Sequence, residues 1–152
     1  MKQAAVDAFT IDCYRASDAA GLLALWQACG LIVPWNNPYA DIERKMADSP
    51  ELFFVGRSGG ALVASCMAGY DGHRGWIYYL AVQPSLQRSG YAAQLVAHSE
   101  HKLRELGCPK IDLMVRNSNQ AVIGFYQSIG YQQDPVVVLS KRLQADEAHD
   151  LA

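Results

Sequence analysis

One stretch of the chain, LAVQPSLQRSGYAAQLV over residues 80–96, limits what can be built around it more than any other. With the WIYY before it, its first part is aromatic and β-branched and suits a central strand. Pro84 closes that strand, because proline has no N–H to give a ladder. Gly90 to Leu106 then reads as the clearest helix of the chain. Ala92, Leu95, Val96, Ser99, Leu103 and Leu106 share one face of it, and Glu100 and Arg104 form an i,i+4 pair on another. Between strand and helix lies a turn, Gln87-Arg88-Ser89-Gly90-Tyr91-Ala92. The first N–H groups of a helix have no internal partner, and the helix dipole makes that end positive. A turn that aims several such groups at one point is a site for a phosphate-sized anion. Gly90 would let the backbone come close, Ala92 keeps the first turn slim, and Arg88 would add a charge-assisted contact. A plain strand-to-helix turn with a glycine fits the same residues. No Gly-Lys-Ser/Thr follows and the spacing is not G-x-G-x-x-G, which weakens nucleoside-triphosphate and dinucleotide readings.

The elements around this stretch follow from pattern and punctuation. Phe9 to Arg15 alternates like a strand; Ser17 offers an N-cap to a helix with Leu22, Leu23, Leu25 and Trp26 on its apolar face, ended by Gly30. A proline-rich loop carrying Trp35, Asn36 and Asn37 leads to a short charged helix around Tyr39 to Ala47. Leu52–Arg57 and Ala61–Tyr70 form a hairpin across Ser58, Gly59 and Gly60. The polar turn Asp71–Gly75 precedes the WIYYLAV strand. Ile111–Val115 is a further strand, Gln120–Ile129 a helix capped by Asn119 and ended by Gly130, and Val136–Ser140 a last strand. The order β-α-α-β-β-β-α-β-α-β predicts an α/β (α+β) fold in a single domain over 1–152, with a tail fraying after about residue 143.

The bulk numbers agree with one compact domain. The chain has 152 residues, 51% hydrophobic and 18% charged, and 13 basic against 15 acidic side chains give a net charge of -2. That total supplies no field for nucleic acid or an anionic membrane. No apolar run approaches a membrane span, and MKQAAVDAFTIDCYR lacks the apolar core of a secretory signal. Cys13, Cys29, Cys66 and Cys108 are scattered and read as reduced thiols, so the expected compartment is the cytosol. His98 and His101 lie three apart on one helix, but no third ligand has supporting spacing, so no metal is expected.

The pattern Leu80-x-Val82-x-Pro84-x-x-Gln87-x-x-Gly90-x-Ala92 resembles the signature strand, loop and helix of the GCN5-related N-acetyltransferase (GNAT) family. Asn119-x-x-Val122-x-x-x-Tyr126-x-x-x-Gly130-Tyr131 resembles that family's second motif, with Val122 where alanine is common. PWNNPYADIERKM, GYDGHRG and GCPKI are similar to segments of its bacterial YpeA-like subgroup, so the resemblance covers nearly the whole chain. It implies a mixed, mostly antiparallel sheet of six to seven strands, helices on both faces, and a pair of neighbouring parallel strands splayed apart. It also implies acetyl-CoA as co-substrate and an amine acceptor, the acetyl group moving by direct attack. Leu80, Ala81 and Val82 would offer backbone groups to the pantetheine arm and thioester carbonyl, and the amides of Gln87, Arg88, Ser89, Gly90, Tyr91 and Ala92 would hold the pyrophosphate. Homodimers are common among similar proteins, which makes a second copy of the chain a candidate partner.

Tyr126 is the expected general acid, since a phenol with a reference pKa of about 10 is protonated at neutral pH and a departing thiolate needs a proton. Packing beside Phe125 is its alternative role. Asn119 would cap its helix through the side-chain oxygen and keep its amide NH₂ for the cofactor. Many relatives place a glutamate on the strand matching WIYYLAV, and this strand has no carboxylate. Asp71, His73, Asp41 and Glu43 are the candidates for the base, each of which also fits as an ordinary turn or surface residue. Trp35, with Asn36, Asn37 and Tyr39, falls in the loop region that borders the acceptor in this family, and it fits equally as a hydrophobic plug on the first helix. The missing strand carboxylate keeps a second class of function in view, a non-catalytic acyl-CoA-binding or sensing module. A third is an assembly protein that pairs through a sheet edge.

Overall fold

Gly59 and Gly60 take φ of 59° and 80°, left-handed values that close a two-residue turn between Ser58 and Ala61. That turn joins β2 (Phe53–Ser58) to β3 (Ala61–Tyr70), and the predicted hairpin is present. In the computed structural model, which describes residues 8–151, β1 (Phe9–Cys13) pairs antiparallel with β2 on one side of the hairpin. On the other side β3 pairs antiparallel with β4 (Gly75–Val82), and β4 pairs parallel with β5 (Ile111–Asp112). The sheet runs in order β1-β2-β3-β4-β5. The α-helices among the described residues are α1 (Ala19–Ala28), α2 (Pro38–Asp48), α3 (Tyr91–Glu105) and α4 (Gln120–Ser128).

The pleat of β2 explains how helices cover both faces. Phe53 and Val55 point into one core with Leu22, Leu25 and Trp26 of α1. Phe54, between them, meets the ring of His98 on α3 edge-on at 4.7 Å. A fully buried bond of 3.4 Å between Cys66 Sγ and Ser99 Oγ ties β3 to the same helix, and burial raises that thiol's pKa to about 11.

Two sequence expectations are corrected. The sheet has five strands among the described residues rather than six to seven. Val136–Ser140 makes no ladder, and Val136, Val137, Val138 and Leu139 are exposed. A β-branched run records willingness to extend; a strand also needs a partner edge, which the run itself does not encode. The described residues fall into two units, 8–112 with 146–151, and Leu113–Ala145.

In the first unit the end of the chain is tied down. The Asp146 carboxylate accepts from the Asn37 backbone N–H at 2.8 Å and from Arg44 at 2.7 Å. The Asn37 side chain donates to Glu147 O at 3.2 Å, and the His149 ring meets Val33 O at 2.9 Å. Fraying is the expectation for a polar tail, and these four bonds are long-range partners that its composition does not announce. The reading of the N-terminus as lacking a signal rests in part on residues 1–7, outside the described residues. No helix among the described residues is long and apolar enough to cross a membrane.

Candidate functional site

The site begins where β4 loses its neighbour. Gly75 and Trp76 stand opposite Ile111 and Asp112, and past them β4 has no ladder partner on that edge among the described residues. Gly75 sits where it must, because a Cβ there would lie 2.9 Å from Cys108 Sγ and 3.1 Å from Leu103 Cδ1. On the other edge β4 carries a bulge. Ser65 faces Ala81 and Met67 faces Tyr78, so Tyr79 and Leu80 together oppose Cys66 alone. Tyr79 takes the extra residue with φ of 51°, a left-handed value rare for a residue other than glycine.

Beyond the bulge, Gln83 N–H donates to Val63 O on β3 at 2.7 Å. The carbonyl of Val82 lies anti to that N–H across one planar peptide, so it faces the open edge. There it accepts from the Cys29 thiol and from Gln87 Nε2, both at 3.3 Å. Burial pushes the Cys29 thiol up, and its bond to Val82 opposes that shift.

A single turn of 3-10 helix, Pro84–Leu86, carries the chain to the predicted anion turn. Arg88 has φ of 66° and Gly90 φ of 86°, so two left-handed residues fold the backbone just before α3. Gln87, Arg88, Ser89 and Gly90 are exposed, and Tyr91 and Ala92 half-buried. Among the described residues the backbone N–H groups of residues 87–92 donate to no protein acceptor. The Ser89 hydroxyl donates to Leu86 O, which holds the turn from inside. The Phe9 ring stacks on Tyr91 at 4.0 Å and 7°, seated over Gly56, where any Cβ would lie 2.4 Å from the ring. Gly56 thus serves the turn from two strands away.

The face of β4 toward α1 and α2 carries a polar cluster that the sequence reading did not assemble. Trp26 Nε1 donates to Ser65 Oγ at 2.9 Å, and Ser65 Oγ donates to Tyr79 O at 2.8 Å, pinning the bulge. The Tyr79 ring stacks on Trp26 at 3.8 Å, and its hydroxyl donates to Asp41 Oδ2 at 2.6 Å. Asn36 Nδ2 donates to the same oxygen at 2.7 Å, and Arg44 donates to Asp41 Oδ1 at 3.1 Å. Burial and the bond to Asp41 drive the Tyr79 phenol well above its usual pKa, so it stays a donor.

The four carboxylate and histidine candidates therefore separate. Asp71 accepts from the N–H groups of His73 and Arg74, each at 2.8 Å, and from Trp76 Nε1 at 3.2 Å. Those donors hold its pKa down to about 2, which makes it a turn-former and a poor base. His73 and Glu43 are exposed. Asp41 alone sits in the cluster on β4. His98 packs on Phe54, and His101 pairs with Glu105 at 2.9 Å one helical turn on.

The second unit holds Asn119 and Tyr126. Asn119 Oδ1 accepts from Val122 N–H at 3.4 Å, the predicted cap of α4. Tyr126 is buried, with the rings of Phe125 and Tyr131 edge-on at 5.1 and 5.4 Å.

Comparison with known proteins agrees with this architecture. The sequence pattern described as "Acetyltransferase (GNAT) family" matches residues 19–131. The chain is 46% identical over 136 residues to an acetyltransferase of Yersinia enterocolitica, which covers 90% of this chain and 96% of the relative. Its fold is similar to that of Ard1 from Thermoplasma volcanium, with a TM-score of 0.73 at 24% identity over 80% of this chain and 81% of that one. It is also similar to an aminoglycoside acetyltransferase from an uncultured soil metagenomic sample, with a TM-score of 0.69 at 20% identity over 90% of this chain and 97% of the other.

Proposed function

The chain belongs to the acetyltransferase (GNAT) family, and from that premise we propose that it is an N-acetyltransferase that moves the acetyl group of acetyl-CoA onto a primary amine by direct attack. The observation that carries the reading is the turn of residues 87–92, exposed over 87–90, whose six amides have no protein acceptor among the described residues at the head of a fifteen-residue helix. Unpaired N–H groups at a helix N-terminus suit a diphosphate, and they follow directly from a strand with an open edge.

Acetyl-CoA supplies the activated acetyl thioester. Gln87, Arg88, Ser89, Gly90, Tyr91 and Ala92 bind its pyrophosphate through their amides. Leu80, Ala81 and Val82 offer backbone groups to the pantetheine arm and the thioester carbonyl. A backbone N–H fixed beside the bulge stabilises the charge that grows on that carbonyl oxygen without reorganising. Holding the long CoA arm fixes the reacting carbon and removes much of the entropic barrier. Tyr126 donates the proton that the CoA sulfur needs, and Asn119 presents its amide NH₂ to the cofactor.

The test is acetyl-CoA binding by melting temperature, followed by CoA release with a panel of amines, corrected for hydrolysis. Bound ligand stabilises the native state by RT ln(1 + [L]/Kd), about 2.7 kcal/mol at a hundredfold excess over Kd. The expected result is a raised melting temperature and amine-dependent release. Unchanged melting with acetyl-CoA refutes the reading.

A further inference from the structure

We propose that Asp41 is the carboxylate that receives the acceptor's ammonium group and takes its proton, with Tyr79 as its positioning residue. The inference rests on the transferase reading above. Four features converge on Asp41. Its side chain is 20% exposed, which leaves it reachable from solvent while partly desolvated. A carboxylate has about four lone-pair sites, and three are filled: two on Oδ2 by Tyr79 and Asn36, one on Oδ1 by Arg44. One site on Oδ1 is left over from these bonds, and it can accept from an ammonium N–H.

Charge favours a cation there. Arg44 divides its guanidinium between Asp41 at 3.1 Å and Asp146 at 2.7 Å, and it is itself 59% exposed. Asp41 is therefore only part-neutralised by it. The remaining contacts, Tyr79 and Asn36, are uncharged donors. Tyr79 cannot take the proton itself, because its phenol is held neutral by burial and by the carboxylate it faces.

Position completes the case. Tyr79 is the bulge residue, one step before Leu80 on the strand assigned to the thioester. Its ring is clamped by Trp26, and its carbonyl by Ser65. A carboxylate tied to that hydroxyl is tied to the bend in β4. In the step itself an N–H bond of R–NH₃⁺ breaks, Asp41 becomes the neutral acid, and the electron pair left on nitrogen is the nucleophile. Asp41 returns the proton to solvent after turnover.

The experiment compares wild type with Asp41→Asn on two kinds of nucleophile, with acetyl-CoA affinity measured in parallel. Hydroxylamine is already unprotonated at neutral pH and needs no base. Spermidine, kanamycin, lysine and an alanyl peptide present protonated amines. Loss of a general base costs about 100-fold or more. Asp41→Asn is expected to lose that factor on the best protonated amine, at least ten times more than it loses on hydroxylamine, with acetyl-CoA affinity unchanged. Equal losses on the two nucleophiles overturn the assignment, as does a wild type that acetylates hydroxylamine but none of the protonated amines. A wild type that binds acetyl-CoA and acetylates neither overturns the transferase reading as well. Tyr79→Phe serves as the second variant, since it keeps the stack on Trp26 and removes a donor to Asp41. With that bond gone Asp41 is held less firmly against the acceptor, so Tyr79→Phe is expected to lower kcat/KM on the best protonated amine about ten times more than on hydroxylamine, with acetyl-CoA affinity unchanged. Arg44 on α2 and, through it, Asp146 of the tail are the other charged groups facing Asp41, and both remain in that variant. Equal losses on the two nucleophiles, or no loss on either, would leave Tyr79 with a packing role only and overturn its part.

Discussion

Substituting Gly90 by alanine and by glutamate separates backbone strain from charge at the turn that carries the functional reading. Gly90 has φ of 86° and ψ of 3°, and no atom lies within 4 Å of where a Cβ would stand. Either side chain therefore fits sterically, and both carry the same left-handed penalty of about 1 kcal/mol. In a chain of 152 residues that lowers Tm by about 2–4 °C. Glutamate adds a negative charge. At a separation of about 5 Å and the permittivity of water, its repulsion from two phosphate charges is about 1.7 kcal/mol. That is about a 17-fold loss of CoA affinity; halving the permittivity doubles the energy and makes the loss about 300-fold.

The assay is calorimetric titration of CoA into both variants at about 0.1 M and 1 M salt, with thermal melts alongside. The Debye length falls from about 10 Å to about 3 Å over that range. The glutamate deficit should shrink in high salt, while the small alanine deficit should hold. Equal CoA affinity in the two variants would refute the reasoning, because it would put the diphosphate somewhere other than this turn. Equal Tm for wild type and alanine would refute the strain estimate alone.

Tyr126→Phe should lower kcat by about 100-fold and leave CoA affinity nearly intact, as single-turnover kinetics and titration would show; lost affinity instead assigns the hydroxyl to the cofactor. Gly56→Ala should drive the Phe9 ring off Tyr91, since the new Cβ would stand 2.4 Å from it. Overpacking of this kind costs about 1–3 kcal/mol, and CoA affinity should fall with Tm; a Phe9→Leu, Gly56→Ala double variant that recovers neither would break the link. Asp71 has its folded pKa lowered to about 2 by the His73, Arg74 and Trp76 donors. Its contribution to stability is present above the unfolded carboxylate pKa of about 4 and is lost as pH falls through about 2. Acid melts of wild type should therefore decline across that window more steeply than those of Asp71→Asn.

Much of this was legible from local chemistry. Paired glycines closed the hairpin as read, Asn119 caps α4, and the turn before α3 has the free amides that its position implied. The sequence reading failed where a partner elsewhere in the chain decides the outcome. Val136–Leu139 has the composition of a strand and no ladder. Ser17 looked like the cap of α1, yet Asp18 is the residue in that place, drawn in by Arg57 at 2.9 Å and by the Arg15 N–H at 3.0 Å. Asp146 lies in a stretch read as tail, and its partners, Asn37 and Arg44, are more than a hundred residues away.

Tyr79 shows most plainly why a site is harder to read than a fold. WIYYLAV looks like an unbroken strand, and neither tyrosine differs from its neighbour in composition. The left-handed backbone at Tyr79 costs of order 1–3 kcal/mol and persists only where surroundings over-determine it. Those surroundings are Trp26 from α1, Ser65 from β3 and Asp41 from α2, three elements that meet only once the sheet is built. β4 itself holds no carboxylate; its Tyr79 meets one on α2, Asp41. The pairing of Tyr79 with Asp41 is thus encoded as a contact between two elements: the sequence put Asp41 among four candidates for a base, but spacing within either element could not single it out.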